Sequence, residues 1–234
     1  MQKVIIITLL LSAVSYTSIA HALDETSFLS KGAEVHLSIE RFERTLLAKG
    51  SQSETEVRNQ RLKITAYESP YAWLQGGFHF GYVKASHDSL ALTANLAPVG
   101  EFFGFQLRNP RDYDKTINLH WSLAYTYNSV DDQQGDFTSD LTWHDYYGEL
   151  GLALRTLGMQ ISIGGYYAGM EGEEQSSEKM NDSSTVRSSQ QLKSTDNGGV
   201  YASIGIVTND QGRIELLARS GAQQGGAIIF SKYF

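Results

Sequence analysis

From residue 33 onward, apolar and polar residues alternate with a period of two. The clearest run is Ile117, Leu119, Trp121, Leu123, Tyr125 and Tyr127, with Asn118, His120, Ser122, Ala124 and Thr126 between them. Successive side chains of a strand point to opposite faces, so this run has one apolar face and one small or polar face. At roughly 3.3 Å per residue and a tilt near 45°, its length matches the ~25 Å apolar band of a membrane barrel. The same alternation recurs in ten segments: 33–47, 55–67, 71–84, 99–108, 116–129, 141–156, 159–171, 198–208, 213–221 and 225–234. An even number of strands suits a single-chain bacterial barrel. The pattern therefore predicts an all-β fold, an antiparallel transmembrane up-and-down barrel of about ten strands. Eight strands is the alternative count, because Leu90, Leu92, Ala94 and Leu96 read either as a separate strand or as an extension of the fourth.

The connections carry a second regularity. Joins after even-numbered strands are short, as at Glu68-Ser69-Pro70 and Leu157-Gly158. Most joins after odd-numbered strands are longer, and the longest, 172–197, is rich in Ser, Glu and Gln and reads as a polar mobile loop. Short turns at one end and longer loops at the other are the asymmetry of outer-membrane barrels. With odd strands running outward, Tyr82, Tyr125, Tyr127, Tyr146, Tyr166 and Tyr167 fall at the outer rim. Tyr67, Tyr71, Trp73, Tyr113, Tyr233 and Phe234 fall at the inner rim, so two aromatic girdles are expected.

The first 22 residues follow a different pattern. Lys3, the apolar run Val4–Val14 and Ala20-His21-Ala22 have the order of a secretory signal peptide, with cleavage expected near Ala22. Residues 23–32 lack alternation and read as a periplasmic lead-in, leaving 33–234 as the barrel. Composition narrows the field further. The chain has no cysteine, which excludes disulfides and thiolate metal sites. Its formal charge of −7 argues against nucleic acid as a partner.

With these features in place, the sequence resembles small bacterial outer-membrane β-barrel proteins as a class. The alternating strands, the leader and the terminal Ile228, Phe230 and Phe234 carry the resemblance. It implies an outer-membrane location, contact with membrane lipid and lipopolysaccharide, and recognition of the C-terminal strand by the insertion machinery. A monomer is expected.

The inward face collects polar residues that would be costly against lipid: His36, Glu40, Arg61, Lys63, His79, Gln106, Arg108, His120, Glu149, Arg213, Glu215 and Arg219. They read as a paired network filling a narrow interior, or as the lining of a narrow channel. His36, His79 and His120 share that face, but no carboxylate is placed beside them by spacing, and no cofactor or metal is expected. Asp131-Asp132 and His144-Asp145 superficially resemble the acidic and His–Asp pairs of omptin-type proteases. Adjacent strand residues face opposite ways, however, so His144 and Asp145 form no simple pair. His36, Ser38 and Glu40 have the residue types of a lipid A deacylase but fall on the lumen face. The acidic run Val130–Asp136 lacks the ligand order of a calcium loop and reads as a solvated turn. The expected role is structural or in surface interaction. A narrow channel for small solutes is the alternative, and a rim hydrolase acting on lipid or peptide comes third.

Overall fold

The computed structural model describes residues 33–49, 54–88, 95–96, 98–110, 116–156, 158–179, 185–208 and 212–234. The leader, the lead-in, Tyr113 and the alternating stretch 89–94 lie outside the described residues. The elements are β1 (Glu34–Ala48), β2 (Glu54–Tyr71), β3 (Leu74–Asp88), β4 (Asn95–Leu96), β5 (Val99–Arg108), β6 (Ile117–Gln134), β7 (Phe137–Thr156), β8 (Met159–Lys179), β9 (Thr185–Ser194), β10 (Gly198–Val207), β11 (Gly212–Gly221) and β12 (Gln224–Tyr233). All pairings are antiparallel, and β12 pairs with β1 from Glu34↔Tyr233 to Glu43↔Gln224, which closes the ring. The Phe234 amide donates to the Ala33 carbonyl at 3.0 Å, so the first and last described residues meet at one end of the barrel.

The ring has two tiers. In the lower tier ten strands follow one another: β1, β2, β3, β5, β6, β7, β8, β10, β11 and β12. Higher up, the β11–β12 hairpin stops at its turn, Ala222-Gln223. β1 then changes partner, from β12 at Glu43↔Gln224 to β9 at Leu46↔Ser194. β8 does the same, pairing with β10 below and with β9 from Glu171↔Lys193 upward. On the far side β3 passes from β5 to β4. Among the described residues, the upper tier is therefore built of eight strand positions. The switch is sealed by hydrogen bonds from the Thr195 amide to the Thr45 carbonyl and from the Ala222 amide to the Gly198 carbonyl, at 3.4 and 2.9 Å.

Polarity inverts between the tiers. Below, the outward residues are apolar and open to the surroundings: Phe78 is 77% exposed, Ile163 65% and Leu150 58%. Above, Glu56, Gln60, Lys84, Asp131, Asp140, Glu171 and Gln175 point outward. Their inward neighbours Leu46, Val57, Val83, Ala85, Phe102, Val130, Leu141, Trp143, Met170 and Leu192 pack together, and Trp143 is fully buried. An eight-stranded ring is just wide enough for side chains to fill, and each large side chain buried there contributes roughly 1.5–3 kcal/mol. The upper tier thus has the polarity of a water-soluble barrel, and the lower tier that of a membrane barrel. The inversion needs no bulge: β6 and β7 stay in register from Ile117↔Leu154 to Gln134↔Phe137.

Two stretches read as loops continue as strands. β6 and β7 meet at the tight turn Gly135-Asp136, where Gly135 has φ 61, a conformation a Cβ disfavours. β8 and β9 take up 159–179 and 185–194, so the described parts of 172–197 are a hairpin. At 3.3 Å per residue and a tilt near 45°, the 21 residues of β8 rise about 49 Å, about twice the apolar band. On its outer face, the Ser189 hydroxyl and the Gln175 amide donate to Glu173 and hold its carboxyl below the usual range.

The girdles need correction at three positions. Tyr166 and Tyr67 point into the lumen and are buried, and Tyr233 also lies on the inward alternation. Tyr82, Tyr146 and Tyr167 are exposed at the upper edge of the belt, and Tyr71 stacks on Trp73 at the lower edge with centroids 5.9 Å apart. Tyr67 and Tyr166 have polar partners inside, which an outward ring would forgo.

Candidate functional site

In the lumen below the apolar layer, buried charged side chains converge. Because the strands are tilted, inward residues from distant parts of the chain meet at one level. Asp145 on β7 is held by Arg44 of β1 (Nη1 to Oδ1, 2.9 Å) and Arg61 of β2 (Nη2 to Oδ2, 2.5 Å). The Trp143 indole donates to its Oδ2 at 3.0 Å, and the Asn128 amide at 3.2 Å. The plug and the ion network are therefore joined through Trp143.

Below this level Glu40 pairs with Lys63 and accepts from the Ser38 hydroxyl at 3.0 Å. Glu149 takes contacts from the His120 ring at 2.7 Å and from the Tyr147 hydroxyl. Arg219 lies among rings, with its guanidinium carbon 4.7 Å from Phe42, 4.3 Å from Tyr147 and 5.6 Å from Tyr166. It donates to Gln223 at 2.9 Å and so fastens the tip of the β11–β12 hairpin from inside. Nearest the end where Ala33 meets Phe234, Glu34 pairs with Arg108 and lies 2.6 Å from the His36 ring. Arg108 also donates to Gln75 at 2.9 Å and stacks 3.7 Å from the Tyr67 ring, whose hydroxyl donates to Gln106 at 2.7 Å. Arg213 pairs with Glu215 at 2.5 Å and donates to Gln160 at 3.2 Å.

The twelve polar positions read from the sequence all lie on the inward alternation of their strands. Sequence reading did not assign Glu34, Arg44, Asn128, Tyr147 or Asp145 to the lumen, and singled out Asp145 only beside His144. Arg44 and Asp145 sit at the height where alternation changes phase, so the apolar faces that flagged the others do not flag them. The three histidines are held separately: His79 contacts Thr126 Oγ1 at 2.8 Å, whereas His36 and His120 contact different glutamates. Among the described residues no group of three or more His, Cys, Asp or Glu is placed to hold a metal ion. His144 points outward, 2.7 Å from the Tyr125 hydroxyl, while Asp145 points inward, so the two are on opposite sides of the wall.

A cavity of about 140 Å³ remains between these layers, lined by residues from Arg44 and Asp145 down to His36 and Gln160. It is below the roughly 300–1,000 Å³ of organic-ligand pockets. Apart from Arg219, which lies among rings, the arrangement sets buried charge against opposite charge, the condition under which such groups persist in a narrow interior.

No family model and no curated protein matches the sequence. Solved structures similar to it include outer membrane protein OprG from Pseudomonas aeruginosa, 10% identical over 87% of this chain and 97% of that one, with a TM-score of 0.47. The outer membrane protease OmpT from Escherichia coli is 10% identical over 88% and 96%, with a TM-score of 0.46. The translocator domain of autotransporter NalP from Neisseria meningitidis is 10% identical over 97% of each chain, with a TM-score of 0.42. Two of the three are named as outer-membrane proteins, and this chain, an all-β antiparallel barrel, resembles that class without matching a specific family.

Proposed function

We propose that the chain is a non-conducting barrel of the bacterial outer membrane that raises a rigid, water-facing tier above the bilayer for structural support or surface interaction. The observation that carries this reading is the inversion of polarity at the ten-to-eight strand switch. The lower tier matches lipid outside and pairs charge inside, whereas the upper tier matches water outside and fills its interior with Leu141, Trp143, Met170 and their neighbours. A solute path through the barrel would have to cross that apolar layer. The short turns, such as Ala72-Trp73, lie at the end where Ala33 and Phe234 meet, which is the periplasmic end in barrels of this kind. The upper tier then faces the exterior. A rim enzyme draws no support from His144 and Asp145, which the wall separates.

The absence of native cysteine makes a direct test practical. Single cysteines are placed at Gln175 and Asp140 in the upper tier and at Ile163 and Leu123 in the belt. Intact cells expressing each variant are treated with a membrane-impermeant maleimide. The reading predicts labelling at Gln175 and Asp140 and protection at Ile163 and Leu123. Labelling of the belt positions, or protection of the upper pair on intact cells with labelling after lysis, contradicts it.

A further inference from the structure

Charge is unevenly distributed over the outward residues above the apolar belt. On β5 through β8 the exposed carboxylates are Glu101, Asp131, Asp140 and Glu171. On β1 through β3 the row next above the belt is basic, with Glu43 and Glu56 one and two strand steps higher. Arg41 is paired in register with Gln60, and Gln60 with Lys84, so the three side chains stand in one row across adjacent strands, all exposed. With strands about 4.8 Å apart, the two cations are separated by roughly 10 Å at the backbone, within reach of one anion through their long side chains. Their charge is only partly neutralised, because Arg41, which lies 3.6 Å from Glu43, shares it with Arg58. Lys84 has no ion-pair partner among the described residues.

Directly below this row, one strand step toward the membrane, stand Ile39, Leu62 and Tyr82, which are also in register. Ile64, Phe80 and Phe78 follow beneath them, all exposed. A cationic row over an apolar column matches a lipid, with phosphate at headgroup level and acyl chains against the wall. The geometry points to a phosphorylated-lipid site on the outer face of β1–β3, with Arg41 and Lys84 binding the headgroup phosphate, Gln60 donating between them, and Ile39, Ile64 and Phe80 contacting the chains. The inference rests on the membrane placement proposed above and adds the lipid class and the face that binds it.

The test uses the full chain in nanodiscs of zwitterionic phosphatidylcholine doped with lipid A carrying both phosphates. Lipids retained on gentle extraction are counted by native mass spectrometry. A matched series uses lipid A stripped of phosphate, and another adds inorganic phosphate as competitor. Near an anionic lipid surface each cation changes affinity by about fivefold, so Arg41→Gln with Lys84→Gln is expected to lower retention of the phosphorylated form by about thirtyfold. Lys193→Gln, a rim cation on β9 lying 3.9 Å from Glu171, is expected to leave it unchanged. Equal retention of the phosphate-free form, or undiminished retention by the double variant, overturns the inference. Full displacement by millimolar inorganic phosphate overturns the lipid assignment, because the acyl contacts would then contribute nothing. Insertion is verified first by heat-resistant electrophoretic mobility. An inserted barrel without phosphate preference fails this inference alone, whereas a chain that does not insert fails the membrane reading itself.

Discussion

Replacing Asp145 with Asn tests whether the lumen is held together as an ion network. Among the described residues, Asp145 is the carboxylate that ion-pairs with both Arg44 and Arg61, whose side chains are 4% and 13% exposed. Asn keeps the size of the side chain and an oxygen for the Trp143 indole, so packing and the 3.0 Å hydrogen bond can persist. What is lost is the negative charge between two buried guanidinium groups. Removing one partner of a buried ion pair costs about 3–5 kcal/mol, because the remaining charge stays desolvated. Two cations share this carboxylate, so the upper part of that range is expected. The assay is reversible denaturant unfolding of the refolded barrel in detergent, followed by tryptophan fluorescence. Arg61→Gln in the Asp145→Asn background should recover part of the loss, since it removes one of the stranded charges. A cost under about 1 kcal/mol for Asp145→Asn, with no coupling to Arg61→Gln, would refute the argument.

Other consequences follow from the two-tier architecture. Leu123→Arg, on the lipid face, should destabilise by about 2–4 kcal/mol, whereas Ser129→Arg, three strand steps higher on the same face of β6, should cost about 0–1 kcal/mol in the same bilayer-refolding assay. Trp143→Ala should cost about 3–5 kcal/mol by denaturant unfolding, since the plug is too closely packed to collapse around the void. Gly135→Val at the β6–β7 turn should cost at least about 1 kcal/mol by the same assay, because the φ of 61 is strained for a β-branched residue. The Glu173 carboxyl should titrate below the usual glutamate value of about 4.3 in a carbon-13 NMR titration. Its depressed value means that its hydrogen bonds contribute above that range and are lost as the pH falls through the folded-state value. Ser189→Ala should move the titration upward.

The membrane tier was legible because lipid imposes one rule on every strand that crosses it: apolar residues outside, spaced by two. Phe78, Phe80 and Tyr82 set the phase of β3 unambiguously. The upper tier obeys the opposite rule, and its signal is a change of phase within a strand. In β7 the apolar positions are Leu141 and Trp143, then Leu150, Leu152 and Leu154, odd numbers giving way to even. In β8 they are Ile161 and Ile163, then Ala168 and Met170. Read with a single phase, the upper halves look like polar loops, which is why 130–140 and 172–197 were not expected as strands. Arg44 and Asp145 were hidden for the same reason, since they stand where one rule hands over to the other. The strand switch was beyond periodicity altogether. It depends on the β11–β12 hairpin being too short to reach the top, a fact visible only once β1 is seen to take β9 as its second partner. Glu34 was passed over because a single carboxylate at a strand start carries no pattern, and only the fold brings it to Arg108.

The central claim is that an apolar layer across the eight-stranded tier closes the lumen. The most direct measurement is single-channel current through the refolded barrel in a planar bilayer, with insertion verified independently. The account predicts a silent membrane for the native sequence, and discrete current steps once Leu141, Trp143 and Met170 are all replaced by Ala. Discrete, ion-selective steps from the native sequence, unchanged by those three substitutions, would contradict it.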